Sequence, residues 1–169
     1  MNYNIGDTVL YGTDGVCRIA EVSEQKVGKE TLSYYILKPI YDDKATIYVP
    51  AQNERLLGKM KGILSEDEIC DAIEKACGAK DDWIFDDARR GEEFRKIVDS
   101  GDIAQITRLI RMIYKRRAEV TLRGKKLRVS DERTLKECEK ILFDEFALVL
   151  GMKRNQVQRF LMDKFEIGA

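Results

Sequence analysis

Apolar residues in the first 60 or so positions fall in short β-branched and aromatic runs broken by glycine, aspartate and proline, and from Ser65 onward they recur every three to four residues. The first spacing belongs to half-buried strands and the second to amphipathic helices. Gly6-Asp7-Thr8-Val9-Leu10-Tyr11 predicts a strand, Gly12-Thr13-Asp14-Gly15 a tight loop in which glycine supplies positive φ, and Val16 to Val22 a second strand. After the turn Val27-Gly28-Lys29-Glu30 comes a third, Thr31 to Pro39. The turn Tyr41-Asp42-Asp43-Lys44 leads into a fourth, Ala45 to Val49, closed by Pro50. Four or five short strands joined by tight turns in so few residues predict a small, strongly bent SH3/Tudor-like β-barrel.

In the remainder, Ser65-Glu66-Asp67-Glu68 is a capping box before the stripe Ile69, Ile73 and Cys77, with Gly78 as the stop. A second helix is expected from Asp81 to Val98, ending at Ser100-Gly101. Asp102 caps a third, with Gln105 three residues on and Ile103, Ile106, Ile110 and Ile113 at helical spacing. Ser130 is expected to cap a long fourth helix with the stripe Leu135, Cys138, Leu142, Phe146 and Val149, stopped by Gly151, and Gln156 to Phe165 makes a fifth. The predicted fold class is therefore α+β with the two kinds of structure segregated: a β-barrel over residues 1–60 and an all-α helical bundle over 61–169.

Composition narrows the function. Of 169 residues, 44% are hydrophobic, ample for a core, and 30 basic residues balance 30 acidic ones, so bulk charge does not draw this chain to nucleic acid. Cys17, Cys70, Cys77 and Cys138 form no C-x-x-C pair, and with no histidine in the chain a zinc site and Ser-His or Cys-His catalysis both lack their parts; the thiols are read as reduced core residues. No enzyme activity, cofactor, metal or small-molecule substrate is expected. No apolar run reaches the length of a membrane span, and Met1 to Tyr11 has neither a basic segment nor an apolar one of the kind that opens a secretory signal, so the expected location is the cytoplasm.

Three features carry binding chemistry. A strand at Thr46-Ile47-Tyr48-Val49-Pro50, if it lies at a sheet edge, offers unpaired N–H and C=O groups to a strand from a partner; if interior, it is only core. From Arg108 to Arg128 nine cations (among them Lys115, Arg116, Arg117, Arg123, Lys125 and Lys126) face one acid, Glu119, which suits either phosphate contacts or a solvated helix end. Trp83, the single tryptophan, stands between Asp81-Asp82 and Asp86-Asp87 with Arg89 and Arg90 beyond. It is either a core residue or a wedge for a distorted base step, with the arginines on phosphates.

These residues in this order resemble the CarD (CdnL-like) family of bacterial transcription regulators over nearly the whole length. The resemblance rests on Ile5-Gly6-Asp7-Thr8-Val9-Leu10-Tyr11 with Gly15, on Tyr35-Ile36-Leu37-Lys38-Pro39, and on Ile47-Tyr48-Val49-Pro50 with Asn53. In the second half it rests on Trp83, Ser100-Gly101-Asp102, Ser130-Asp131-Glu132-Arg133 and Phe146 to Gly151. It implies a Tudor-like domain that binds the RNA polymerase β subunit by strand addition through Thr46 to Val49. It also implies a helical domain that meets promoter DNA, with Trp83 in the minor groove at the upstream edge of the transcription bubble, slowing its collapse. Two positions depart from the family pattern: Tyr48 stands where many members have a basic residue, and Ile84-Phe85-Asp86-Asp87 stands where basic residues often follow the tryptophan. The competing readings are a self-sufficient DNA binder, because Phe146 to Met152 and Gln156 to Leu161 have the apolar spacing of a helix-turn-helix, and a protein-only interaction module whose basic stretch meets an acidic surface.

Overall fold

A computed structural model describes residues 3–80 and 82–168, which divide into two compact units, one ending at Leu64 and the other starting at Ser65. The first holds β1 (Thr8–Tyr11), β2 (Gly15–Val27), β3 (Glu30–Pro39), β4 (Ile47–Pro50), the one-turn helix α1 (Glu54–Leu57) and β5 (Met60–Gly62). All strand pairs are antiparallel in the order β4-β3-β2-β1-β5. The β1–β2 connection ends on Gly15 at φ 80° and ψ −148°, a region open to glycine alone. Gly28 at φ 68° begins the two-residue β2–β3 turn, which sets Val27 against Glu30. Alternate residues Val9 and Tyr11 of β1 meet Cys17, Ile19, Leu37, Val49 and Met60 in one core, with Tyr3, Tyr35, Ile47 and Leu56 packed against it.

Three of the strands differ from the sequence expectation, and the one-turn α1 was not part of it. β2 runs to Val27 and not Val22, because its far half pairs with β3 although its side chains there are mostly exposed; the hairpin turn, not burial, keeps it extended. β4 starts at Ile47, so Ala45 and Thr46 lie in the preceding loop. β5 went unforeseen: Met60-Lys61-Gly62 has no strand propensity, and its extended form comes from pairing Met60 with Tyr11 and Gly62 with Val9. That pairing keeps residues 61 and 62 with the sheet, so the units part at Leu64 and not at position 60.

The second unit contains α2 (Glu66–Gly78), α3 (Asp87–Ser100), α4 (Ile103–Leu122), α5 (Val129–Leu150) and α6 (Arg154–Lys164). α4 and α5 each pack on the other four helices. Their stripes, Ile106, Leu109, Ile110 and Ile113 on one and Leu135, Cys138, Leu142 and Phe146 on the other, are excluded from water. The Ser65 capping box forms on both sides, with Glu68 N–H donating to Ser65 Oγ at 3.2 Å and Ser65 N–H to Glu68 Oε2 at 2.7 Å. Asp102 likewise accepts from Gln105 N–H at 3.2 Å.

Here too the chain corrects the reading. The α2 stripe is Ile69, Ala72, Ile73 and Ala76; Cys70 and Cys77 are exposed, so only Cys17 and Cys138 are core thiols. Burial pushes the Cys138 thiol up to about 12. Ser130 does not cap α5: the helix begins at Val129 behind Arg128, and the acids Asp131 and Glu132 of its first turn complement the positive end of the dipole instead. α3 starts at Asp87 rather than Asp81. Asp81 lies outside the described residues, and Asp86 takes the cap by accepting from Arg89 N–H at 2.9 Å, which leaves residues 82–86 non-helical.

Candidate nucleic-acid interface and sheet edge

Trp83 sits in that non-helical segment, half-buried. Its ring meets Phe94 edge-on at 5.7 Å, and two guanidiniums lie against it, Arg90 at 4.9 Å and Arg116 at 5.6 Å. Arg90 is not the surface cation expected beside Arg89: it is 3% exposed. Its Nε and Nη2 donate to the Asp131 carboxylate at 2.9 and 3.0 Å, its Nη2 also to Asp87 at 2.8 Å, and its Nη1 to the Ile84 carbonyl at 2.8 Å. Burial works to lower the Arg90 pKa, but the bonds to Asp131 and Asp87 outweigh it and hold the pKa above its ordinary value. With four of its five N–H groups bonded inside the fold, this buried guanidinium is spent on structure and not on a phosphate. Arg90 fixes the backbone on which Trp83 rides.

Two of the acids around Trp83, Asp86 and Asp87, are engaged inside the fold. Asp86 caps α3, and Asp87 pairs with Arg90 and with Arg128 Nη1 at 3.0 Å. Lys125 and Lys126 are exposed and form no ion pair among the described residues. Trp83, Phe85, Arg116, Lys125, Lys126 and Arg128 border one open cavity of about 200 Å³. Local charge there is more positive than the sequence run of aspartates suggests.

On the first unit, β4 is paired only with β3 among the described residues. The Ala51 N–H donates to the Ser33 carbonyl at 2.8 Å, and bonded pairs recur at every second residue of an antiparallel ladder. Val49 and Ile47, in register with Tyr35 and Leu37, therefore turn their backbone groups toward β3, and Tyr48 between them turns its N–H and C=O outward. Side chains alternate in step: Val49 is fully buried, Ile47 packs on the core and Tyr48 is 57% exposed. Thr46 Oγ1 accepts from Lys38 Nζ at 2.6 Å, and the Pro50 carbonyl from Asn53 N–H at 3.1 Å. Asn53 in turn caps α1, accepting from Leu56 N–H at 3.1 Å.

A family model described as the CarD-like/TRCF RID domain matches residues 3–61, which span the whole sheet except the last residue of β5. That description covers two kinds of protein, and the helical unit decides between them: residues 80–162 match the model described as the CarD C-terminal domain. The chain belongs to the CarD-like family. It is accordingly a transcription factor that interacts with RNA polymerase, in a family of non-enzymatic regulators, and its sheet is Tudor-like. Among the described residues no helix is long and apolar enough to cross a membrane, and no cluster of metal-ligating side chains occurs.

In this CarD-like chain the fold gathers only part of the expected DNA set. Trp83, Arg116, Lys125 and Lys126 come together. Arg117 is half-buried with its guanidinium 5.0 Å from the Tyr114 ring, whereas Lys115, Arg123 and Arg89 stand exposed outside the cavity. Burial raises the Tyr114 hydroxyl far above its usual value, so it stays neutral beside Arg117. Sequence reasoning missed Phe85, 75% exposed, and Asp131, the partner that buries Arg90. A signal for Phe85 did exist: it precedes the Asp86 cap, where an apolar residue packs on the fourth helical residue. Here that residue is Arg90, turned inward, so no apolar partner holds the phenyl ring down.

Proposed function

We propose that this chain docks on the RNA polymerase β subunit by adding a strand to β4 and contacts promoter DNA through its helical unit at the upstream edge of the transcription bubble, stabilising the open complex. The observation that carries this reading is the outward-facing backbone of Tyr48 on a strand paired on one side only, in a domain of the polymerase-interacting type. A chain with zero net charge and a local cationic strip binds DNA weakly alone. Tethering on polymerase raises the effective DNA concentration to the order of millimolar, so weak contacts suffice.

Trp83 then acts as the wedge. Arg90, Phe94 and Arg116 already hold its indole, so insertion orders little that is loose. A melted junction is already short of stacking, and a ring placed there avoids part of the roughly few kcal/mol needed to unstack a closed step. The difference between the two states shifts the equilibrium toward open complexes. Association with polymerase places the protein in the cytoplasm, at the nucleoid.

The test is a pull-down of core polymerase by the full chain, with open-complex lifetime measured for the wild type and Trp83→Ala. Retained polymerase binding and a shorter lifetime are expected for the variant. An unchanged lifetime removes the wedge role, and a wild type that ignores polymerase but binds short duplex DNA tightly favours the helix-turn-helix reading.

A further inference from the structure

Phe85 is an aromatic side chain with three-quarters of its surface in water, on the lip of a cationic cavity, in a segment whose every other tie is internal. Its ring has one partner of note: the Arg116 guanidinium, 5.2 Å from its centre, which is also 5.6 Å from the Trp83 ring. One guanidinium thus holds two rings. Arg116 is itself only 18% exposed at the side chain and bonded to Glu119 at 3.4 Å, so this cation is a strut between rings and not a free phosphate ligand. Among the described residues, the cations at the same cavity with no ion-pair partner are Lys125 and Lys126.

We propose that Phe85 is a second base-reading ring: it stacks on the unpaired nucleobase next to the junction at which Trp83 inserts, while Lys125 and Lys126 take the phosphates of that single strand. The assignment rests on the promoter-contact reading given above and names the ligand of the same surface, single-stranded DNA at a fork. An exposed ring backed by a guanidinium and flanked by lysines matches what a single strand offers, a π-face every nucleotide and a charge between each pair. Paired duplex shows no free π-face, so the ring discriminates melted from closed DNA, whereas the lysines do not. Asp87 and Asp131, the carboxylates at the cavity, are occupied by Arg90 and Arg128 and do not repel the strand with unscreened charge.

The experiment uses the full chain at low ionic strength with two probes: a forked oligonucleotide carrying 2-aminopurine at the first unpaired position, and a fully paired duplex of the same sequence. Phe85→Leu is expected to weaken fork binding about tenfold, the size of effect that loss of one stacking ring has, to abolish the 2-aminopurine quench and to leave duplex binding unchanged. Phe85→Tyr, which keeps the ring, is expected to behave as wild type. Wild-type fork binding by Phe85→Leu, or an equal weakening on fork and duplex, overturns the assignment, as does a wild type that does not quench the probe. Polymerase pull-down of the same variants separates this from the broader reading: Phe85→Leu is expected to bind polymerase normally, and a wild type that quenches the fork probe yet fails to bind polymerase refutes docking while the base contact stands.

Discussion

Replacing Asp131 with alanine should loosen the whole Trp83 site from a distance. The carboxylate and Arg90 are both nearly dry, with 6% and 3% of their side chains exposed, and they share two bonds of 2.9 and 3.0 Å. Removing one member of such a pair leaves the other as a buried charge, at a cost of roughly 3–5 kcal/mol. Asp87 survives as a counter-charge 2.8 Å away, but it is half exposed, so the expected loss is at the lower end, about 3 kcal/mol. For a unit of this size that lowers the melting temperature by about 10–20 °C. Trp83 is the only tryptophan and lies 4.9 Å from Arg90, so denaturant unfolding followed by its fluorescence reports the helical unit alone. Arg90→Met combined with Asp131→Leu should recover much of the loss, since replacing both members by apolar groups removes the stranded charge. A loss below about 1 kcal/mol for Asp131→Ala would refute the anchoring role, because that is the size of an exposed pair.

Tyr48→Pro should reduce polymerase binding by about tenfold or less, the net worth of one missing N–H donor at roughly 0.5–1.5 kcal/mol, in a chain whose sheet still folds. Ile47→Pro should instead destabilise the sheet, because that N–H faces Leu37; pull-down with circular dichroism on both variants checks this, and unaltered binding by Tyr48→Pro means another surface docks. Lys125→Glu with Lys126→Glu should flatten the salt dependence of promoter engagement by about 0.9 for each phosphate no longer neutralised, while Lys115→Glu, outside the cavity, should change it less. Equal slopes for all variants would dismiss the cavity lysines. In the native protein a thiol reagent should label Cys70 and Cys77 quickly and reach Cys17 and Cys138 only after unfolding, a contrast that mass spectrometry resolves.

Period and punctuation carried the class of every element but α1 and β5. Gly28, Gly101 and Gly151 sit at positive φ where the sequence ended a turn or helix, and Ser65 and Asp102 cap the helices expected of them, because these signals act within a few residues and need no partner. The cationic strip and the single tryptophan were likewise visible as composition. What the chain could not announce was any choice made across distance. β5 is a strand because Tyr11 offers it a ladder. β4 is an edge because the last strand added to the sheet lies beside β1 instead, on the opposite side. Arg90 is buried because Asp131, 41 residues away, receives it, and that one pairing turns an apparent phosphate ligand into a strut and leaves Phe85 in the open. Local preference costs a few tenths to about one kcal/mol per residue and is decided in place; burial of charge and pairing of strands are decided by whichever distant group arrives to satisfy them, and only the folded chain says which that is.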